Sequence, residues 1–137
     1  MRNDTRWKQR LENFERAFLL LQEAFKKDSA EMSDLEKEGA VQRFEYTFEL
    51  AWKTLKDYLD YSGVVFDQIT PRSVIKQAFA AKIVKDGQTW IEMLEQRNLM
   101  SHTYDSQKFD AAFSNIMQHY LVALEQVFTW LKEKAQE

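Results

Sequence analysis

Trp7, Leu11, Phe14, Phe18, Leu21 and Phe25 follow one another at alternating spacings of four and three residues. That spacing returns to one face of a 3.6-residue helix, so it predicts an amphipathic helix over residues 4–27. The same stripe recurs in Val41, Phe44, Phe48, Ala51, Leu55 and Tyr58, widened by Trp52 and Leu59. It recurs again in Phe109, Phe113, Ile116, Tyr120, Leu124, Val127 and Leu131, which predicts a helix over residues 108–134. Three glycines and one proline leave too few turn signals for a β-sandwich or barrel. Leu, Ala, Glu, Lys and Gln, all good helix formers, fill the long segments.

Punctuation between the stripes is sparse but specific. Residues 28–33 form a polar connection, and Ser33 with Glu36 three positions later reads as a capping box opening a helix that runs to Tyr61. Gly39 interrupts the first turns of that helix, and Ser62-Gly63 supplies its stop. Val64-Val65-Phe66 reads as a loop tucked onto the core, since no second strand exists to pair with it. Thr70-Pro71 starts a short helix carrying Val74, Ile75, Ala78 and Phe79 to about Lys82. Asp86-Gly87 starts a fourth, with Trp90, Met93 and Leu94 inward and Arg97 on nearly the same face. The polar run from Ser101 to Gln107 ends it. The expectation is all-α: one domain over residues 1–137, an antiparallel up-down bundle of about five helices, like a four-helix bundle.

What the chain lacks narrows its function. No cysteine is present, so neither a disulfide framework nor a thiolate nucleophile or metal site is available. The N-terminus has no apolar leader and no stretch reaches the ~18 apolar residues of a membrane span, which makes a soluble cytoplasmic protein the expectation. A net charge of −3 argues against a broad electrostatic grip on nucleic acid and leaves room for a small basic site. No glycine-rich phosphate loop is present.

The chemistry gathers at the end of the fourth stripe, in Arg97-Asn98-Leu99-Met100-Ser101-His102-Thr103-Tyr104. A histidine that titrates near neutrality can move a proton to or from a ribose 2′-hydroxyl or a leaving 5′-oxygen. A guanidinium can neutralise charge growing on a phosphoryl group with its planar fork of donors. Asn98 can orient either group, and Tyr104 can donate its phenol. These residue types suit metal-independent RNA cleavage, but on residue types and spacing alone their ordinary reading is a helix end capped by polar side chains, or interface packing. On a continuous helix Arg97 and His102 would stand about 140° apart. Joint action therefore requires a helix end between them or a second copy of the chain.

Other residues have ordinary readings. Glu45 and Glu49, one turn apart with Trp52 and Lys53 beside them, read as a solvated or salt-bridged face and otherwise as paired carboxylates for acid–base or cation work. Arg72 and Lys76 read as a solvent-facing basic pair. His119 reads as a helix-face histidine.

Three blocks resemble one family in the right order. They are Arg97 to Tyr104, which matches an Arg-x4-His-x-Tyr signature; Gln42-Arg43-Phe44-Glu45-Tyr46-Thr47-Phe48-Glu49-Leu50-Ala51-Trp52-Lys53-Thr54-Leu55-Lys56; and Pro71-Arg72-Ser73-Val74-Ile75 leading to Ala78-Phe79 and Trp90. The chain is similar over about residues 5 to 130 to the HEPN superfamily, in the branch of nucleotidyltransferase substrate-binding proteins. The resemblance implies a homodimer whose two motifs face each other, with Arg97 and His102 catalytic, Asn98 and Glu49 supporting, and neither metal nor cofactor. It implies a toxin–antitoxin pair in which this chain cleaves RNA. Its cognate minimal nucleotidyltransferase would carry the ATP chemistry and silence it by adenylylating Tyr104. The alternative is a non-catalytic substrate-binding or scaffold subunit of that transferase.

Overall fold

The computed structural model describes residues 2–100 and 106–137, with side chains for 5–97 and 107–137. Its elements are α1 (Arg2–Ala24), a single 3₁₀ turn (Ser29–Glu31), α2 (Asp34–Tyr61), α3 (Pro71–Ala80), α4 (Gly87–Met100), α5 (Ser106–Asn115), a π turn (Ile116–Tyr120) and α6 (Leu121–Ala135). The last three run end to end as one long helix. Among the described residues there is no strand, as the stripes require.

The helix starts follow local chemistry. Ser33 accepts the Glu36 N–H at 3.1 Å, and the Glu36 side chain accepts the Ser33 N–H at 2.9 Å, completing the box that opens α2. Thr70 and Ser73 make the same reciprocal pair at α3, with Pro71 in the first turn. Asp86 accepts from the Thr89 N–H at 3.1 Å and the Thr89 hydroxyl at 2.7 Å, satisfying donors that open α4. Gly63, at φ 97°, closes α2 while the Val64 N–H reaches back to the Leu59 carbonyl.

Cross-helix contacts give the topology. Arg10 meets Asp57, the Leu20 carbonyl accepts from Arg43, and Lys27 meets Glu36, so α1 and α2 run antiparallel. Lys132 reaches Glu15 and Gln22 reaches Glu125, so α6 is antiparallel to α1. The stripes fill the space between: Phe14, Phe44, Phe48, Leu55, Trp90, Ile116 and Leu124 are fully buried. Phe14 and Phe18 meet Phe128, Phe44 stacks on Tyr120 at 5.5 Å, and Phe48 meets Trp90 at 5.9 Å. Trp7, Tyr58, Tyr61 and Trp130 make a second aromatic group at the other end of α2.

Several boundaries differ from the sequence expectation. The first helix stops at Ala24 rather than Lys27, and the last begins at Ser106 rather than Lys108. Phe79 is half exposed, lying over Gly87 so closely that a Cβ there would come within 2.9 Å of its ring. Val64 and Phe66 tuck against the core while Val65 points to solvent.

Candidate functional site

Arg97 lies in the last turn of α4, where the partial negative charge of a helix C-terminus favours a cation. Trp90, Met93 and Leu94 anchor that helix in the core, which turns Arg97 toward the middle of α2. Its guanidinium ion-pairs with the Glu49 carboxylate, Nη1 to Oε1. The guanidinium carbon sits 5.7 Å from the centre of the Phe48 ring, a cation–π contact on a fully buried aromatic. The Arg97 side chain retains 23% of its exposure.

Glu49 is itself held. The Trp52 indole N–H donates to its Oε2 at 3.2 Å, and the Lys53 ammonium lies 3.6 Å from the same oxygen and 5.9 Å from the Trp52 ring centre. The carboxylate therefore gathers donors from its own helix on one oxygen and the guanidinium on the other. The pair is partly exposed, so its direct contribution to stability is of order 1 kcal/mol or less. Its effect is orientation: a guanidinium fixed by a carboxylate at one edge and a ring beneath has little freedom left.

Glu45, one turn before Glu49, is half-buried on the same side of α2. Burial pushes its carboxyl above the ordinary value, and the positive charge of Arg97 draws it partway back. Burial and the nearby negative charges of Glu92 and Glu95 push the phenol of Tyr120, which stacks on Phe44, up to about 12.

Of the residues singled out in the sequence, Arg97 and Glu49 are brought together. Asn98 falls within α4, but its side chain lies outside the described residues, as do His102 and Tyr104 altogether. Arg72 and Lys76 are exposed along α3. His119 is exposed in the π turn, and its charge helps hold Asp86 below the ordinary carboxylate range, behind the Thr89 hydrogen bonds that dominate. Sequence reasoning missed the Phe48 platform and the burial of Glu45. The available signal was the four-residue repeat Phe44-Glu45 and Phe48-Glu49, which sets both carboxylates at the edge of an apolar stripe. Among the described residues no group of three or more His, Asp or Glu could hold a metal ion, and no helix is long and apolar enough to cross a membrane.

Solved structures resemble this chain along most of its length. A crystal structure from Thermus thermophilus superposes with a TM-score of 0.75 at 33% identity, covering 87% of this chain and 98% of that one. A Haemophilus influenzae protein, described as revealing the fold of a substrate binding domain of a nucleotidyltransferase, superposes with a TM-score of 0.75 at 23% identity, covering 93% and 99%. A Haemophilus influenzae relative named probable ribonuclease HepT is 31% identical over 81 residues, or 57% of this chain and 56% of that protein, little more than half of either. The model of the family described as "nucleotidyltransferase substrate binding protein like" matches residues 9–133, and the chain belongs to that family.

Proposed function

We propose that this chain is a metal-independent endoribonuclease of the HEPN type, acting as a homodimer and held in check by a cognate minimal nucleotidyltransferase. The observation that supports the reading is Arg97, fixed by Glu49 and Phe48 at the end of α4, five residues before His102. Such a group meets a phosphodiester with its orientation already set, so less freedom is lost on binding. Similarity to a protein named probable ribonuclease HepT supports the choice of substrate. Attack of the 2′-hydroxyl on the adjacent phosphate would leave a 2′,3′-cyclic phosphate, with Arg97 on the phosphate oxygens, Asn98 and Glu49 supporting it, and His102 moving a proton. A dimer would place both motifs along one groove. AMP on Tyr104 would bring negative charge and bulk into that groove and compete with RNA for Arg97.

The test is RNA incubated with purified, unmodified protein in EDTA. Cleavage persists in chelator, and Arg97→Ala or His102→Ala lowers it by at least ~10²-fold while the variants remain folded. Equal cleavage by either variant would sink the assignment. Co-expression with the cognate transferase adds AMP mass to the wild-type chain and none to Tyr104→Phe, and silences only the former.

The second reading, a substrate-binding subunit of a nucleotidyltransferase, is favoured by the description of the family itself. It predicts no RNA cleavage by the unmodified chain, and a change in the transferase's KM when this chain is added.

A further inference from the structure

We propose that Glu45 is the base of this site, its carboxylate taking the 2′-hydroxyl proton of the RNA while Arg97 holds the neighbouring phosphate. The proposal rests on the ribonuclease reading above and divides acid–base work that the reading leaves undivided.

The placement carries it. Glu45 and Glu49 lie one turn apart on one side of α2, and Arg97 acts on both: it pairs with Glu49, and its charge reaches Glu45. The two carboxylates are treated differently. Glu49 accepts from Arg97 and Trp52 and has Lys53 close by, whereas Glu45, though half-buried, makes no hydrogen bond or ion pair among the described residues. A carboxylate withdrawn from water ordinarily acquires donors. Asp57, deeply buried in the same helix, has Arg10 at 3.0 Å and Lys56 at 3.3 Å. An unpaired carboxylate beside a cation already claimed by another acid keeps its lone pairs available and its proton affinity high, as a general base requires. Arg97 from α4 is the charge that reaches Glu45 from a neighbouring element, and Glu49 is the acidic group one turn along its own helix.

The step balances. The 2′-O–H bond breaks and its proton passes to Glu45, while the oxygen forms a bond to phosphorus. The P–O5′ bond breaks with its electrons on the 5′-oxygen, which takes a proton from His102, the second acid–base group of the proposed reaction. Proton exchange with solvent then returns Glu45 to the carboxylate and His102 to the imidazolium. Rate should therefore rise with pH as Glu45 ionises, on a limb above the ordinary carboxylate range, and fall as the imidazolium is lost.

The experiment measures kcat/KM against pH, in EDTA on a short single-site RNA, for wild type, Glu45→Gln, Glu45→Asp, Glu49→Gln and Arg97→Ala. Glu45→Gln, close in shape to the native residue, should lose ~10²-fold or more together with the acid limb, and Glu45→Asp should recover part of the rate with a limb present. Glu49→Gln, which acts only through Arg97, should slow the reaction and keep the limb. Carboxyl-carbon NMR of the wild-type chain should show Glu45 titrating above its ordinary value, and higher still in Arg97→Gln. Glu45→Gln that cuts within a few-fold of wild type with its acid limb intact overturns the assignment and leaves the ribonuclease reading standing, as does a Glu45 signal that titrates normally and ignores Arg97. A wild-type chain that leaves RNA uncut overturns both.

Discussion

Tyr120 carries a hydroxyl into the core on a ring stacked against Phe44, with Glu92 and Glu95 close enough to oppose its ionisation. Its folded-state pKa is raised to about 12 from 10.0, so in that window the folded chain keeps a proton that the unfolded chain has lost. Through Tyr120 alone, stability is unaffected below pH ~10 and declines as pH rises toward 12, by on the order of 2 kcal/mol. Urea unfolding of Tyr120→Phe across that range should show the decline reduced; an unchanged decline would place its source elsewhere. At this scale the sequence was partly legible. Spacing put Glu49 with Glu45 on one, solvated or salt-bridged, face, since i and i+4 positions share a face on any helix, and only the family resemblance gave it a supporting role. Phe48 beneath Arg97 was not, because a helical wheel gives the face a residue occupies and not the side chain that crosses to it from another helix.

Helix starts were the most legible elements, because a cap is a local event: Ser33 with Glu36 and Thr70 with Pro71 are complete within four residues. The π turn at Ile116–Tyr120 was not expected, although its trace is in the stripe. Ile116, Tyr120 and Leu124 are separated by two successive steps of four where the rest of that stripe alternates, and the helix widens there. Deleting the exposed Gln118 should let the turn close to α-helical geometry with its flanks still in register. Deleting the exposed Glu125 instead should rotate Val127 and Leu131 by about 100° off the core. Each large apolar side chain lost that way costs roughly 2–5 kcal/mol. Thermal melts of the two deletions should therefore differ widely, Gln118 the milder; equal losses would mean that the π turn absorbs nothing.

Across the molecule, the bundle is tied at one end by the buried Asp57 and its two cations, and Arg10 brings the charge that fastens α1 to α2. Arg10→Ala should lower the unfolding free energy by about 1–3 kcal/mol, and adding Asp57→Asn should recover part of it by removing the stranded charge. Additive losses in urea titrations would show that the two side chains act separately. Bundle, helix order and core were legible because they follow from periodicity summed over long segments. Of the site, His102 and Tyr104 were named from the sequence and lie outside the described residues, and motifs that face each other need a second chain. The four tryptophans are distributed so that they report on different places. Trp7 and Trp90 are buried, and Trp130 packs edge-on to Tyr58. Trp52 alone among them hydrogen-bonds the carboxylate that holds Arg97. Should Arg97 turn from Glu49 to a phosphate, that carboxylate would be left more basic and would pull harder on the indole N–H. The emission of Trp52 would shift with it, so the chain carries its own optical gauge of whether its arginine is engaged.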